Sequence, residues 1–518
     1  MSTFPLITVL TCIPLVGAVV LIGLDFERKQ LARGLALGFN LVSLLGAVLL
    51  WLHFDSASPN LQLTERHDWI PSLGAEYFVG VDGLGLLMVL LTAIVVPIAM
   101  LASWRIEEKV PLYFSMFLLL QAGLFGTFTA LNFFHWFIFW ELSLVPAFFL
   151  IKLWGGPRRS AAATQFFIYT MVGSVAMLLS FLAIFWAVGT FDFHTLAEMG
   201  SSGKLAGALA DKLGWINLTG HQLALVIFAG VFLGFAVKVP LIPFHTWLPV
   251  AYAEAPTGVT MVLTGLMSKM GVYGFLRILL PIFPNEMRLI MTPLLWLAVA
   301  TIVLSACAAF AQRDLKRMFA YSSINHLGYC LLGVFVLARF TGNDGPLNVE
   351  KTAVLNGVLL QMFNHGLTAP ILFCFIGFLE QRSGGLRGLD DFGGLRKVAP
   401  IFCGLMGIAI FASLGLPGLN GFIGEFLIFK GSFPLATWAT ALSVLGLLVT
   451  AIFLLTVLQR VFSGPLNVKW SALAELTWPE RFIVIPATAL MLLIGIWPQV
   501  LMGKINLTVI QMVDHLKF

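Results

Sequence analysis

Charge is what this chain has least of. Of its 518 residues, 11% are Asp, Glu, Lys or Arg, against 59% hydrophobic. Soluble domains carry roughly 25% charged residues, so the composition excludes an ordinary water-soluble fold and fits an integral membrane protein. Cysteine is scarce as well. The five, Cys12, Cys307, Cys330, Cys374 and Cys403, lie in apolar runs and form no CxxC pair or other metal-ligand spacing. Neither an iron–sulfur site nor a disulfide framework is encoded, and no metal ligands are assigned. The net charge of +5 is small and scattered, which argues against a nucleic-acid partner. The first stretch, MSTFPLITVLTCIPLVGAVVLIGL, lacks the charged n-region of a signal peptide and is expected to stay as a span.

What the chain has in quantity is apolar length. Runs bounded by polar or Pro/Gly punctuation predict an all-α integral membrane protein of about fourteen transmembrane helices. The expected limits are 5–24, 32–53, 79–103, 111–130, 132–153, 162–188, 221–252, 257–280, 290–311, 317–338, 352–380, 400–432, 435–460 and 481–503. No soluble domain interrupts them, and the longest connection, 189–220, reads as surface-lying. Of the 30 lysines and arginines, loops after odd-numbered spans hold about 18 and the opposite face about 10, so the positive-inside rule puts both termini on the outer face. The runs QRDLKR at 312–317 and EQRSGGLRGLDDFGGLRK at 380–397 read as solvated inner loops.

Two spans carry breaks. The seventh is interrupted at KVPLIP, with Pro240 and Pro243, and the twelfth at SLGLPGLNGFIGEF, around Pro417 and Gly418. A proline inside a helix removes a backbone hydrogen bond and clashes with the preceding turn. In lipid, such a break survives only against protein or a water-filled cavity. Breaks in corresponding positions of two halves mark an inverted-repeat transporter and its binding region. Five spans separate them, an odd offset that inverts the second unit and pairs spans 4–8 with spans 9–13. The expected divisions are residues 1–104 (three helices), 111–280 (first repeat), 290–460 (second repeat) and 461–518 (loop, fourteenth helix and tail).

Ionisable residues cluster around the breaks. Lys238 adjoins the first, and Lys269 sits mid-span in GLMSKMGVYGFLR with Thr264 and Ser268 within a turn or so. Intramembrane charge is expensive and marks candidate sites; the bland alternative for Lys238 is snorkelling to the interface. Glu141, midway along the fifth span, needs a counter-ion, and Lys238 is the nearest in type. A static pair holding helices in register would look the same. His326 and His365 lie deep in apolar sequence beside Asn325 and Asn364; histidine titrates near neutral pH and suits a relay, although a buried histidine is often simply hydrogen-bonded. Glu425 follows the second break, with Lys430 its only basic neighbour in sequence. Together these six trace titratable groups across both repeats.

Six motifs, FHWFIFWELSLVP, KVPLIPFHTWLPVAYAEAPT, GLMSKMGVYGFLR, RDLKRMFAYSSINHLGY, FNHGLTAPILFC and SLGLPGLNGFIGEF, occur in order over nearly the full length. In them the chain resembles the antiporter-like subunits of respiratory complex I. Within that family it is similar to the M type, which has glutamate in the broken twelfth span where the L and N types have lysine. The long lateral helix of the L type is not expected after the fourteenth span. The resemblance implies a proton-translocating unit: Glu141 paired with Lys238, a central Lys269, relay through His326 and His365, and Glu425 toward the outer face. It implies a multi-pass protein of the bacterial cytoplasmic (inner) membrane, with both termini periplasmic. Its implied partners are other membrane-arm subunits, including L- and N-type neighbours, with lipid, protons and internal water. No cofactor is expected on this chain, and FMN, iron–sulfur clusters and quinone are expected on other subunits.

Two other functions compete. One is a cation/proton antiporter subunit of a multi-subunit sodium/proton antiporter, or a subunit of a related membrane-bound hydrogenase or ferredoxin-dependent complex. The other is a haem-bearing electron carrier using His135, His245, His326 or His365 in pairs; the asparagine and proline neighbourhoods favour proton or backbone roles instead.

Overall fold

A computed structural model describes residues 4–214, 217–339 and 347–516. Two helices, α1 (Leu6–Ile22) and α2 (Lys29–His53), lead into an antiparallel hairpin, β1 (Gln62–Ile70) and β2 (Ala75–Val81), with Gln62 opposite Val81 and Ile70 opposite Ala75. Then follow α3 (Gly83–Ala102), α4 (Val110–Thr129), α5 (Phe133–Trp154), α6 (Arg159–Val188), α7 (Phe193–Ser201), α8 (Lys204–Leu213), α9 (Gly220–Lys238) and α10 (Trp247–Glu254). A continuous helix α11 (Thr257–Ile282) precedes α12 (Pro284–Leu289), α13 (Met291–Phe310), α14 (Leu315–Val336), α15 (Asn348–Ser383), α16 (Pro400–Ser413) and α17 (Asn420–Leu435). The chain closes with α18 (Thr437–Phe462), α19 (Trp478–Ile496) and α20 (Gln499–His515). Among the described residues, twelve helices are long and apolar enough to cross a bilayer, and α1 and α16 are shorter apolar helices.

Local chemistry sets several of these limits. The Asp82 carboxylate accepts from the backbone N–H groups of Leu84 and Gly85 and so starts α3. Asn132 caps α5 and Asp314 caps α14 in the same way. Thr219 with Gln222, and Thr477 with Glu480, form reciprocal capping boxes. Each satisfies donors that the first turn of a helix leaves open.

The expected limits need two corrections. The third span starts at Gly83 and not at 79, because residues 75–81 pair as a strand and Asp82 caps the helix. That hairpin was missed because β1, QLTERHDWI, is mostly polar. The fourteenth helix ends at Ile496 and not at 503, since Pro498 pushes Trp497 out of helical geometry (φ −131°, ψ 71°). The tail after it folds as α20 and returns to the N-terminal helices, where Thr508 Oγ1 accepts from Gly83 N at 2.9 Å and Lys504 Nζ donates to the Phe54 carbonyl at 2.8 Å.

The protein's interior lies along α11, α14 and α15. The most apolar windows of α11 and α15 are wholly enclosed, whereas those of α2 and α6 are only 28% and 33% buried. The helices with the most polar sites are thus the ones farthest from lipid.

Candidate functional site: a buried lysine–histidine–glutamate chain

Both broken spans open where the sequence predicts. Helix α9 ends at Lys238, residues 239–246 run as turns past Pro240 and Pro243, and α10 resumes at Trp247. Helix α16 ends at Ser413 and α17 starts at Asn420, with Pro417 and Gly418 in the connection. Gly415 and Gly418 there have φ of +76° and +91°, a region that L side chains avoid.

Between the breaks lies Lys269, fully buried on α11. The turn before it, Leu263–Met267, is π-helical; such bulges frequently mark functional sites. The Lys269 Nζ donates to the Thr264 carbonyl at 2.5 Å, reaches Ser268 Oγ at 3.4 Å and meets His365 Nδ1 at 2.6 Å. These contacts use the three donors that an ammonium offers. With Lys269 as the ammonium, Nδ1 of His365 is the acceptor of that bond.

From His365 the chain continues. The imidazole rings of His365 and His326 lie 5.2 Å apart between centroids. His326 Nδ1 is 3.1 Å from Glu425 Oε1, and its Nε2 is 3.1 Å from Ser413 Oγ. Glu425 and Ser413 thus engage the two ring nitrogens of His326, one each, so the tautomer that donates from Nδ1 to Glu425 accepts at Nε2 from the Ser413 hydroxyl. Gln361 Nε2 gives Glu425 Oε1 a second hydrogen bond at 3.2 Å. A small cavity of about 10 Å³ adjoins His326, His365, Gln361, Ser413 and Glu425, close to the room one water needs. Lys269, His365, His326 and Glu425, from α11, α15, α14 and α17, thus form a line, hydrogen-bonded at both ends and joined by ring packing between the two imidazoles.

Close helix approach makes the first link. A Cβ on Gly366 would sit 2.9 Å from the Gly265 carbonyl, and one on Gly265 would sit 3.0 Å from the Gly366 carbonyl. Only glycine at both positions lets α11 and α15 come this near beside His365. Further along, Asn364 Nδ2 donates to the Asn420 carbonyl at 2.6 Å, and Asn420 Nδ2 returns a bond to the Asn364 carbonyl at 3.2 Å. This exchange ties α15 to the first turn after the second break.

One sequence expectation changes. The Glu141–Lys238 ion pair is not closed. The Lys238 amine lies over the Trp140 ring, 4.6 Å from its centroid, and Glu141 Oε1 is buried without a hydrogen-bond partner. Successive residues of a helix point about 100° apart, so the indole and not the adjacent carboxylate faces Lys238; the two charges stay within electrostatic reach. The asparagines, in turn, do not touch the histidines. Asn325 Nδ2 donates to Ile302 O and its Oδ1 accepts from Thr450, while Asn364 serves the break. They hold helices in place. Ser413, Gln361, Asn420, Gly265 and Gly366 were not singled out from sequence, although each lies in or beside a motif that was, apart from Gln361, one turn before His365.

The haem alternative meets an obstacle in this geometry: both ring nitrogens of His326 and Nδ1 of His365 are engaged by protein groups. The basic loops are also less solvated than expected. Arg387 reaches Asp314 at 2.6 Å and the Ala253 carbonyl at 2.6 Å, and buried Lys316 pairs with Glu380 at 2.7 Å. Glu254, buried at the end of α10, accepts from Arg158 N at 2.9 Å. This cluster joins the end of the first broken span to the second half of the chain. Beside it Arg460, hydrogen-bonded to half-exposed Asp390, holds that carboxyl below the usual range with help from Arg313.

Interrupted helices flanking buried ionisable groups define the antiporter-like class of membrane transport protein. The chain belongs to the NADH:quinone oxidoreductase/Mrp antiporter membrane family, whose model matches residues 130–452. It is 36% identical over 516 residues to NADH-quinone oxidoreductase subunit M of Rhodobacter capsulatus, covering 98% of this chain and 96% of that one. It is also 36% identical over 503 residues to F(420)H(2) dehydrogenase subunit M of Methanosarcina mazei, covering 95% of each. Among solved structures, a chain of respiratory complex I from Thermus thermophilus superposes with a TM-score of 0.84 at 28% identity, covering 99% of this chain and all of that one. A chain of the Mrp complex from Dietzia sp. gives the same TM-score at 19% identity, over 99% of this chain and 98% of that one, and shows the shared fold.

Proposed function

We propose that this protein is a proton-translocating membrane-arm subunit of an NADH:quinone oxidoreductase, moving protons across the bilayer while quinone is reduced elsewhere in the assembly. The observation that carries the reading is the contact line from Lys269 through His365 and His326 to Glu425. A proton held on Lys269 passes to Nδ1 of His365. Release from the opposite ring nitrogen into the adjoining cavity delivers it to the His326–Glu425 pair, where Ser413 and Gln361 hold imidazole and carboxylate in place. Glu141 and Lys238 form the control element. A free cation on Lys238 raises the potential around Lys269 and drives its proton onward; closure of Lys238 onto Glu141 cancels that field and lets Lys269 reload.

The inverted-repeat relation of spans 4–8 and 9–13, the bacterial inner membrane and the outer placement of both termini belong to the same proposal. So does the assignment of FMN, iron–sulfur clusters and quinone to other subunits, with no redox centre on this chain. L- and N-type antiporter-like subunits are its neighbours.

The experiment that tests this reading uses sealed vesicles containing the complete assembly in sodium-free buffer. Proton uptake that starts with quinone reduction and needs no sodium supports it. Transport that requires sodium, or that proceeds without electron transfer, supports the cation/proton antiporter alternative.

A further inference from the structure

A second feature lies away from the proton path, where the end of α3 meets the start of α19 and the end of α15. A groove of about 750 Å³ opens there, lined by Trp104, Arg105, Trp478, Arg481, Phe482 and Ile485 among others. Its walls include exposed apolar side chains: Trp478 is 79%, Phe482 72% and Ile485 44% exposed. Polarity changes along its length. Indoles and guanidinium groups gather at one end, and only apolar side chains line the other. From Thr477 to Pro486 the groove follows nine residues of α19, about 13 Å at 1.5 Å per residue. That is close to the hydrocarbon depth of one leaflet, about half of 30 Å.

Charge at the polar end is one-sided. Glu480 is the only acidic group lining the groove among the described residues, and it is already satisfied. Arg382 binds its carboxylate through both Nη atoms, and the Thr477 N–H donates to Oε2 at 2.8 Å. Arg105, 66% exposed, approaches Glu480 only to 3.9 Å. Arg481 spends Nε on the Leu476 carbonyl and lays its guanidinium against Trp478, 5.1 Å from the ring centroid. Among the described residues, Arg481 therefore faces the groove with no carboxylate in ion-pair reach, and Arg105 has only a long 3.9 Å contact with a Glu480 already held by Arg382. Basic pockets between membrane helices on the positive face bind anionic headgroups, and Trp beside Arg suits the headgroup level.

We infer that this groove binds one anionic phospholipid, with its phosphate on Arg105 and Arg481 and an acyl chain along Phe482, Ile485 and Pro486. Arginine forks match phosphate oxygens in pairs, and the apolar channel supplies what a free anion would not use. The lipid fills the seam between α3 and α19 and is a structural ligand of the assembly.

The test uses the complete assembly in phosphatidylcholine vesicles doped with photoactivatable phosphatidylglycerol or photoactivatable phosphatidylcholine, with crosslinked peptides mapped by mass spectrometry. Phosphatidylglycerol is expected to label the segments 101–105 and 478–486 at least five-fold more than phosphatidylcholine. Arg105→Gln and Arg481→Gln should each lower that labelling about five-fold, the weight of one basic residue at an anionic surface. Ile485→Trp keeps both charges but blocks the chain's path, and should remove labelling of 478–486 as well. Equal labelling by the two lipids, or labelling indifferent to the arginine variants, overturns the inference. Loss of labelling in 10 mM inorganic phosphate would show a simple anion site and overturn it. So would an absence of labelling by either lipid, which marks a groove covered by a neighbouring subunit.

Discussion

Lys269 Nζ lies 2.6 Å from His365 Nδ1, and one turn away the helices that carry them touch glycine to glycine at Gly265 and Gly366. The two facts are linked. The separation of α11 and α15 is set by the absence of side chains at that crossing, and the lysine–histidine contact inherits it.

Gly366→Ala therefore tests the link. Its Cβ would stand 2.9 Å from the Gly265 carbonyl and closer still to Leu91, so a helix must move. Overpacking of this kind costs about 1–3 kcal/mol. The expected outcome is a lower thermal midpoint of the assembly and proton pumping reduced about tenfold while the complex still forms. Pumping at the wild-type rate would show that the 2.6 Å contact is not required.

His365→Gln keeps an acceptor for Lys269 but supplies no second ring nitrogen to release the proton. Proton transfer through a positioned group contributes about 10²–10⁴-fold, so pumping should fall at least a hundredfold through this subunit with little change in assembly. His326→Gln should behave alike, and the two together no worse than either alone. Additive losses, measured in vesicles, would place the histidines on separate paths.

Asn420→Ala removes the bonds from its amide to the Asn364 carbonyl and to Thr368 Oγ1 at a site with no exposure. Leaving buried groups unpaired costs about 1–3 kcal/mol. Stability of the assembly, followed by thermal unfolding, should drop more than pumping per intact complex. The reverse pattern would make Asn420 part of the proton path.

Acid titration tests the loop at 384–397. The Asp390 carboxyl, held low chiefly by its hydrogen bond from Arg460, has a folded-state pKa below its unfolded value. Its stabilisation is thus fully present above the unfolded pKa, about 3.9, and is lost as pH falls through the lower folded value. Asp390→Asn should leave stability between pH 7 and 5 nearly unchanged, because the pair is half-exposed and screened. A large drop across that range would show that this pair carries more than a surface contact.

Much of this was legible in the sequence because lipid makes polarity conspicuous. Lys269, His326, His365 and Glu425 stand out of apolar runs, and Pro240, Pro243, Pro417 and Gly418 announce the breaks. Which residues touch was not legible. Asn325 and Asn364 adjoin the histidines in sequence, yet helical rotation turns them toward other helices. The same rotation puts Trp140, not Glu141, against Lys238. Ser413, Gln361 and the Gly265–Gly366 crossing gain their roles only from helices far apart in sequence. The strand at 62–70 was hidden for the opposite reason, its sequence being too polar to register, while the apolar end of its partner at 75–81 merged with the third span.

The most direct measurement is proton pumping by vesicles carrying Lys269→Ala, read beside quinone-reduction rate and the amount of assembled complex. Lys269 sits at the head of the contact line, so the assembly should form while pumping and coupled turnover both fall by tenfold or more. Pumping and turnover at wild-type levels in a fully assembled complex would contradict the account and leave Lys269 a buried cation with a purely structural place.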